Sequence, residues 1–596
     1  MPAIPEFVLR KLYVADSLVS RENGFDFELN NTFAPVTLTG FSLNIDNVIC
    51  DPGNVTISTV GLIDYPAGGI TAEHPFTLSV NTVINIRVTA LPPQEHLVIR
   101  AETKEAGVLQ FGIPVSVTAT IKTEKKRRSG RLTRFLTRLR YAAKVFRVQQ
   151  DPQHPSFHYA PPANWVNDPN GLIYWKGSYH LFYQYNPVEA VWGNIHWGHA
   201  ESKDLVRWKH LPIALIPSPD GADAGGCFSG CAVDHNGTPT LIYTGVYPET
   251  QCLAVSTSDD LVHWRKRKQP VIASAPQGMQ LEGFRDPCIW QEAGEWRMIL
   301  GSGLTDVGGA VLIYRSKNLT DWRFMGILFQ GDSHSFDPLW TGTMWECPSL
   351  FPLGDKWVLI VSVHSHEGAV YSIYYIGQYV VDRFIPDGPP RLLDGGAGGC
   401  LYAPQTFIER KGRRVMFGWL REARSEQAQI SAGWSGAISL PRYLSLTERG
   451  ELASTPEPTL EQLRKNQEKL TKPNQISEQV KGSCLEMLIR VPPETEKWSG
   501  VHLMDNMQNG ILIGYDAVNG AVVVDCRHAG GLISALPVDP PGLHDLVLHV
   551  YLDGSIIEVF IDDRTPISAR FYVPKPQSLR VRLVGRAKVD LWEIKT

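Results

Sequence analysis

Residues Asn164 to Pro187 read NWVNDPNGLIYWKGSYHLFYQYNP, and the reading of this stretch decides the fold. Its second half, GLIYWKGSYHLFYQYNP, is two aromatic-rich runs separated by Lys176-Gly177. Aromatic and β-branched residues suit a pleated, half-buried surface, and a two-residue connection ending in Gly reverses the chain, so this half predicts a hairpin in a sheet. The first half ends in NDPNG, where each residue favours a turn for its own steric or hydrogen-bonding reason. Asp168 is thereby expected on a rigid turn at the mouth of a buried hairpin.

Working outward, SKDLVRW at 202–208, SDDLVHW at 258–264 and SKNLTDW at 316–322 share the form Ser-x-Asp/Asn-Leu-x-x-Trp. A unit of this length, built of short aromatic strands, predicts a β-propeller with one four-stranded blade per repeat. The stretch from Trp165 to Leu440 has room for five blades. Upstream, residues 1–121 alternate in short β-type runs (TLTGFSLNI, VTISTVGLI, FTLSVNTVINIRVTAL) bounded by Pro, Gly and Asn, which predicts a separate all-β, sandwich-like domain. The expected organisation is all-β: an N-terminal β domain (1–121), a basic linker (122–150), a five-bladed propeller (151–455), a short linker (456–475) and a C-terminal β-sandwich (476–596).

The basic linker stands apart in charge. Lys122 to Arg147 carries eleven basic residues against Glu124, in a chain whose formal charge is -4. Leu132, Phe135, Leu136, Leu139, Ala143 and Phe146 recur at helical spacing, so an amphipathic basic helix is expected. Such a helix either packs its apolar stripe on a neighbouring domain or lies on an anionic membrane surface; nucleic acid is not an expected partner. No apolar run approaches a membrane span, and the N-terminus lacks a basic stretch followed by an apolar one. Nine cysteines without metal-ligand spacing fit a reducing compartment, and a cytoplasmic location is the expectation. The N-terminal and C-terminal β domains are candidate surfaces for homo-oligomer formation.

A repeat permits comparison between blades. Phe284-Arg285-Asp286-Pro287 lies two periods beyond Asp168, and Trp345-Glu346-Cys347-Pro348 one period further. The first strand of every propeller blade lines one central funnel, so Asp168, Asp286 and Glu346 should converge there. Like charges crowded in one pocket are costly, so the arrangement needs a chemical reason. Metal binding and glycoside cleavage both call for converging carboxylates, but a Mg or Ca site would bring further oxygen ligands in a short loop. Trp165, Trp192, Trp197, Phe228, Trp345 and Trp419 offer flat apolar faces, and Asn167, Gln184, Ser229 and Arg285 offer hydrogen bonds, which favours a sugar.

The ordered series NWVNDPNG, FSG at 228–230, FRDP at 284–287 and WECP at 345–348 resembles the motifs of glycoside hydrolase family 32, the β-fructofuranosidases. WGNIHWGHA, LYAPQTF, FGWL and SGAISLPR support it, and DGSIIEVFIDD at 553–563 is similar to a strand pair of that family's C-terminal sandwich. The resemblance implies a retaining mechanism with Asp168 as nucleophile, Glu346 as acid/base and Asp286 as transition-state stabiliser, and no cofactor or metal. Substrate contacts are expected from Asn167, Gln184, Trp192, Phe228, Ser229, Arg285, Cys347 and Trp419. Like-charge repulsion from Asp168 and Asp286 is expected to raise the pKa of Glu346. The implied substrates are sucrose and short fructo-oligosaccharides; sucrose 6-phosphate, inulin or levan hydrolysis, fructosyl transfer, and non-catalytic carbohydrate binding are the alternatives. Ser349 stands where the family commonly has an acid, which puts the contacts near Glu346 in doubt. The glycine-rich LLDGGAGGC at 392–400 lacks the Lys-Ser/Thr and helix of a phosphate loop and is read as a loop at the pocket rim.

Overall fold

The computed structural model describes residues 19–21, 24–31, 36–46, 48–59, 65–78, 82–89, 96–104, 107–114, and all of 141–595 except 247, 506–509, 541 and 563–564. The chain divides into two compact units, Met1–Leu139 and Arg140–Thr596. In the first, two sheets enclose a core of Phe25, Phe27, Phe41, Leu43, Ile57, Ile86 and Leu97. One sheet is ordered Val19–Arg21, Gly24–Asn31, Thr82–Val88, Val55–Thr59, Tyr65–Pro66; the other is built on Val36–Ile45 and His96–Thr103. This is the expected extra β domain.

The second unit holds a five-bladed propeller followed by a sandwich. The inner strands of blades 1 to 5 are Asn164–Trp175, Gly226–His235, Leu281–Glu292, Met344–Leu353 and Leu401–Ile408. Each packs on the next and the fifth packs on the first. Trp434–Ser435 then pairs in parallel with Asn164–Trp165, tying late chain into blade 1 and closing the ring. The hairpin of the opening stretch forms as expected: Trp175 pairs with Ser178 across Lys176 (φ 43°) and Gly177 (φ 88°), positive at both positions as a type I′ turn demands.

The sequence repeat has a local cause. In blades 1 to 3 its Leu (Leu205, Leu261, Leu319) is buried at positive φ between the third and fourth strands. The Asp or Asn before it (Asp204, Asp260, Asn318) caps the following amides, and the repeat Trp donates its indole N–H to that Leu carbonyl at 3.0, 2.7 and 2.9 Å. The motif is therefore a turn lock at the blade edge, remote from the funnel.

The sandwich packs a six-stranded sheet on a five-stranded one around Leu485, Met487, Val501, Ile513, Val550 and Val581. It starts earlier than the sequence reading placed it. Within the expected linker 456–475, Arg464–Leu470 pairs with Lys588–Ile594 as an edge strand, and Leu470 is fully buried. A buried ionic network joins sandwich to propeller. Glu558 accepts from Arg442 Nη2 at 2.6 Å, His158 Nε2 at 3.0 Å and the Leu440 amide at 2.7 Å, while Asp553 accepts the amides of Ser156, Phe157 and His158.

Two further expectations are corrected. The basic helix is described only over residues 141–149, the remainder of 122–140 lying outside the described residues. In the described part Val145 and Val148 pack on Ala163 and Trp434, whereas Ala143 and Phe146 of the expected stripe are exposed. The second apolar row, also at i, i+3 spacing, is the one that finds a partner. The glycine-rich loop lies on the sandwich: Gly395 N–H donates to Pro566 O and Ala397 N–H to Ser534 Oγ, both at 2.8 Å. Among the described residues no helix is long and apolar enough to cross a membrane.

Candidate active site

All five inner strands break register at the same level. The pairing skips between Val166 and Pro169, Cys227 and Gly230, Arg285 and Cys288, Glu346 and Ser349, and Tyr402 and Gln405. Each skip is a β-bulge, which re-aims side chains out of the pleat. Asp168 thus sits inside a bulged strand, not on a turn preceding it. The carboxylates also occupy different bulge positions: Glu346 is the last paired residue, Asp286 the first unpaired and Asp168 the second. Asp286 (φ 63°) and Cys347 (φ 47°) take the left-handed conformation that the bulge requires.

The bulges bring the three carboxylates together, Asp168 and Asp286 buried and Glu346 half-buried, each in a different hydrogen-bond environment. Asp168 Oδ2 accepts from Ser229 Oγ at 2.5 Å and Gln184 Nε2 at 3.0 Å, and Oδ1 from Asn167 Nδ2 at 3.0 Å. Asn167 also donates to Gln184 Oε1 and is itself fixed by the Trp165 indole N–H at 2.7 Å. Asp286 accepts the Cys347 amide at 2.9 Å, and the Cys347 thiol lies 3.5 Å from both Asp168 Oδ2 and Asp286 Oδ2. Glu346 Oε1 takes Nε and Nη2 of Arg285 at 3.0 and 2.9 Å, and Oε2 accepts the Tyr402 hydroxyl at 2.7 Å. Arg285 is shared, its Nη1 reaching Glu249 Oε1 at 2.7 Å.

These surroundings separate the acids electrically. Burial pushes the pKa of Asp168 up to about 6, against the donor bond from Ser229 and with the Glu346 charge adding to the rise. Asp286 is raised by burial and by Glu346, with Arg285 opposing. For Glu346 burial acts upward too, but Arg285, His364 and the bonds from Tyr402 and Arg285 outweigh it, and the carboxyl is held below its ordinary range. The expectation of a raised Glu346 is thus corrected for this arrangement, because repulsion from two acids is exceeded by a forked guanidinium and a phenol.

Of the expected substrate contacts, Asn167, Gln184, Ser229, Arg285 and Cys347 touch the carboxylates directly. Trp419 stands edge-on to Trp165 at 5.6 Å and to Tyr402 at 6.4 Å. Trp192, 55% exposed, meets Phe228 edge-on at 6.1 Å and forms an open wall. Trp197 and Trp345 are wholly buried, donating to Phe228 O and Thr341 O, and serve the core rather than a sugar face. Ser349 meets Thr406 Oγ1 at 3.1 Å, and the same Thr406 accepts from Arg414. Its departure from the family pattern therefore concerns Arg414 and not the contacts of Glu346. Sequence reasoning missed Tyr402 and Glu249. Tyr402 holds the same pre-bulge position as Glu346, one blade on, so the repeat contained its signal; Glu249 lies in a connecting loop without periodicity. Among the described residues no group of His, Cys, Asp and Glu is arranged to hold a metal ion.

Two family models match the chain: the glycosyl hydrolases family 32 N-terminal domain over residues 158–456, and the glycosyl hydrolases family 32 C terminal over 459–594. The sucrose-6-phosphate hydrolase of Zymomonas mobilis is 35% identical, the match spanning 73% of this chain and 90% of the relative. The raffinose invertase of Escherichia coli is 34% identical over 72% of this chain and 91% of its own. A GH32 beta-fructofuranosidase of Bombyx mori superposes with a TM-score of 0.66 at 30% identity, covering 76% of this chain and 96% of that one, and a mutant of it was solved in complex with sucrose. Likeness on this scale runs through propeller and sandwich alike, the two models meeting where one passes into the other, so the chain belongs to glycoside hydrolase family 32 and is a glycoside hydrolase.

Proposed function

We propose that the protein is a retaining β-fructofuranosidase that hydrolyses sucrose and short fructo-oligosaccharides. One observation carries the division of labour: Asp168 is held by neutral donors alone, whereas Glu346 is gripped by a cation and a phenol. Ionised above pH 6 and fixed in orientation, Asp168 attacks the anomeric carbon of the fructosyl unit, and the bond to the leaving sugar oxygen breaks as Glu346 delivers a proton to it. The covalent ester at Asp168 is then hydrolysed by water whose proton Glu346 takes back. Asp286 accepts hydroxyls of the fructosyl ring. Those hydroxyls stabilise its anion, and that negative charge raises the pKa of Glu346, so substrate binding favours the protonated form of the acid that must donate.

Relatives named for hydrolysing sucrose 6-phosphate and for invertase activity support the fructoside reading. The Trp192 and Phe228 wall supports a short substrate, since it offers one open aromatic face for a ring beyond the fructosyl pocket. Product analysis with sucrose, sucrose 6-phosphate, inulin and levan tests the proposal. Fructose release from sucrose, abolished in Asp168→Asn and in Glu346→Gln, is the expected result; no fructoside turnover by the folded wild type overturns it.

A further inference from the structure

Blade 5 and the sandwich leave a cavity of about 240 Å3 where they meet. Gly398, Arg421 and Glu422 line it from the propeller, and Gly531, Ser534 and Arg570 from the sandwich. The glycine-rich loop forms one wall, and its composition is a packing requirement. A Cβ on Gly396 would lie 2.2 Å from Ser568 O, and one on Gly399 (φ 63°) 1.8 Å from Val370 O.

Charge in this wall does not balance. Glu422 is the one acid among the described lining residues, and its oxygens are already taken by the Tyr572 hydroxyl, the amides of Ala423 and Arg424, Arg424 Nη2 at 2.6 Å and Arg570 Nη2 at 3.5 Å. Nearby Asp394 is committed to Arg442 and Ser568. Against Glu422 the lining sets Arg421 and Arg570, an excess of one positive charge. Arg570 is 3% exposed, yet its Nη1 has no hydrogen-bond partner among the described residues. Arg421 spends a single nitrogen, Nη1, on the carbonyls of Ala369, Val370 and Gly398.

A buried guanidinium donor without an acceptor is unfavourable, and forked guanidinium donors match the oxygens of a phosphate. We propose that the cavity binds a phosphate group, free or carried by one small sugar. The excess positive charge and the free guanidinium donors suit a phosphate anion, and the volume holds a phosphate with one sugar ring. The site is separate from the catalytic funnel but not isolated from it. The Arg421 guanidinium lies 5.7 Å from the ring of Tyr402, whose hydroxyl holds Glu346, and 6.0 Å from that of Trp419.

Calorimetric titration of the full chain with inorganic phosphate and with glucose 6-phosphate, at constant ionic strength and with saturating fructose present to fill the funnel, tests this. Saturable binding of either probe is expected, weakened at least tenfold in Arg421→Gln and less in Arg421→Lys, which keeps the charge without the fork. The tighter probe identifies the source of the phosphate. Arg421→Gln is a variant of a partly exposed side chain, and its unfolding midpoint without phosphate serves as the folding control. No saturable heat with either probe, or binding unchanged in Arg421→Gln, overturns the proposal. So does an equal response to sodium chloride, which would be charge screening alone.

Discussion

Two carboxylates given opposite tasks must be told apart by their neighbours. In the proposed mechanism Asp168, which receives only neutral donors, keeps its negative charge for attack, and Glu346, which receives Arg285 and Tyr402, is the acid that substrate must bring to its protonated form. The acidic limb of kcat/KM should therefore fall near pH 6, where Asp168 becomes protonated and can no longer attack. Removing the Ser229 hydroxyl deletes a bond that favours the Asp168 anion. In Ser229→Ala the folded pKa rises further and the acidic limb moves to higher pH by about one to two units, since a hydrogen bond to a charged group is worth roughly 1.5–3 kcal/mol. An unmoved limb in the pH–rate profile would show that Ser229 does not tune the nucleophile. The three carboxylates were legible because each stands in a distinctive tetrapeptide at the repeat spacing. Their ionisation was not, because it depends on Arg285 being divided between Glu346 and Glu249, and the latter comes from a loop that no pattern marks.

The inner strands show what a bulge repeated five times does. Each lifts two residues out of the ladder at one level, and in four blades a Pro at or just after the skip suits a position that donates nothing to the pairing. In sequence these positions read as turns, since NDPNG has turn chemistry; only the partner strand, with its skipped register, reveals a strand that continues. Below the bulge in blade 4, Ser349 leaves an imbalance. Arg414 packs over the Phe351 ring at 4.4 Å and bonds Thr406, its Nε has no partner among the described residues, and burial lowers its pKa to about 10. Ser349→Asp supplies the missing carboxylate. Thermal unfolding should show a stabilisation of about 1–3 kcal/mol with fructoside turnover unchanged; a lower midpoint would mean that burying the new charge outweighs pairing it.

At the scale of the whole chain, the repeat period announced the propeller and the aromatic hairpin fixed where its first blade begins. The sandwich was visible in DGSIIEVFIDD, but its hold on the propeller was not: Glu558 within that stretch meets Arg442 and His158, residues separated from it by more than a hundred positions. The early edge strand Arg464–Leu470 was hidden for a related reason. Its burial pattern is mostly exposed, so its charged sequence reads as a linker until Lys588–Ile594 is seen to pair with it. Within the propeller, the pairing of Trp434–Ser435 with Asn164–Trp165 closes the ring of inner strands, and the closed ring is what sets Asp168 opposite Glu346. The most direct test of that arrangement is intact-mass and peptide analysis of Glu346→Gln after exposure to β-fructofuranosyl fluoride, whose leaving group needs no proton. Formation of the ester then proceeds while its hydrolysis lacks a base, so one fructosyl unit should accumulate on the peptide carrying Asp168. Fluoride release without a fructosyl adduct, or an adduct on another residue, would contradict the account.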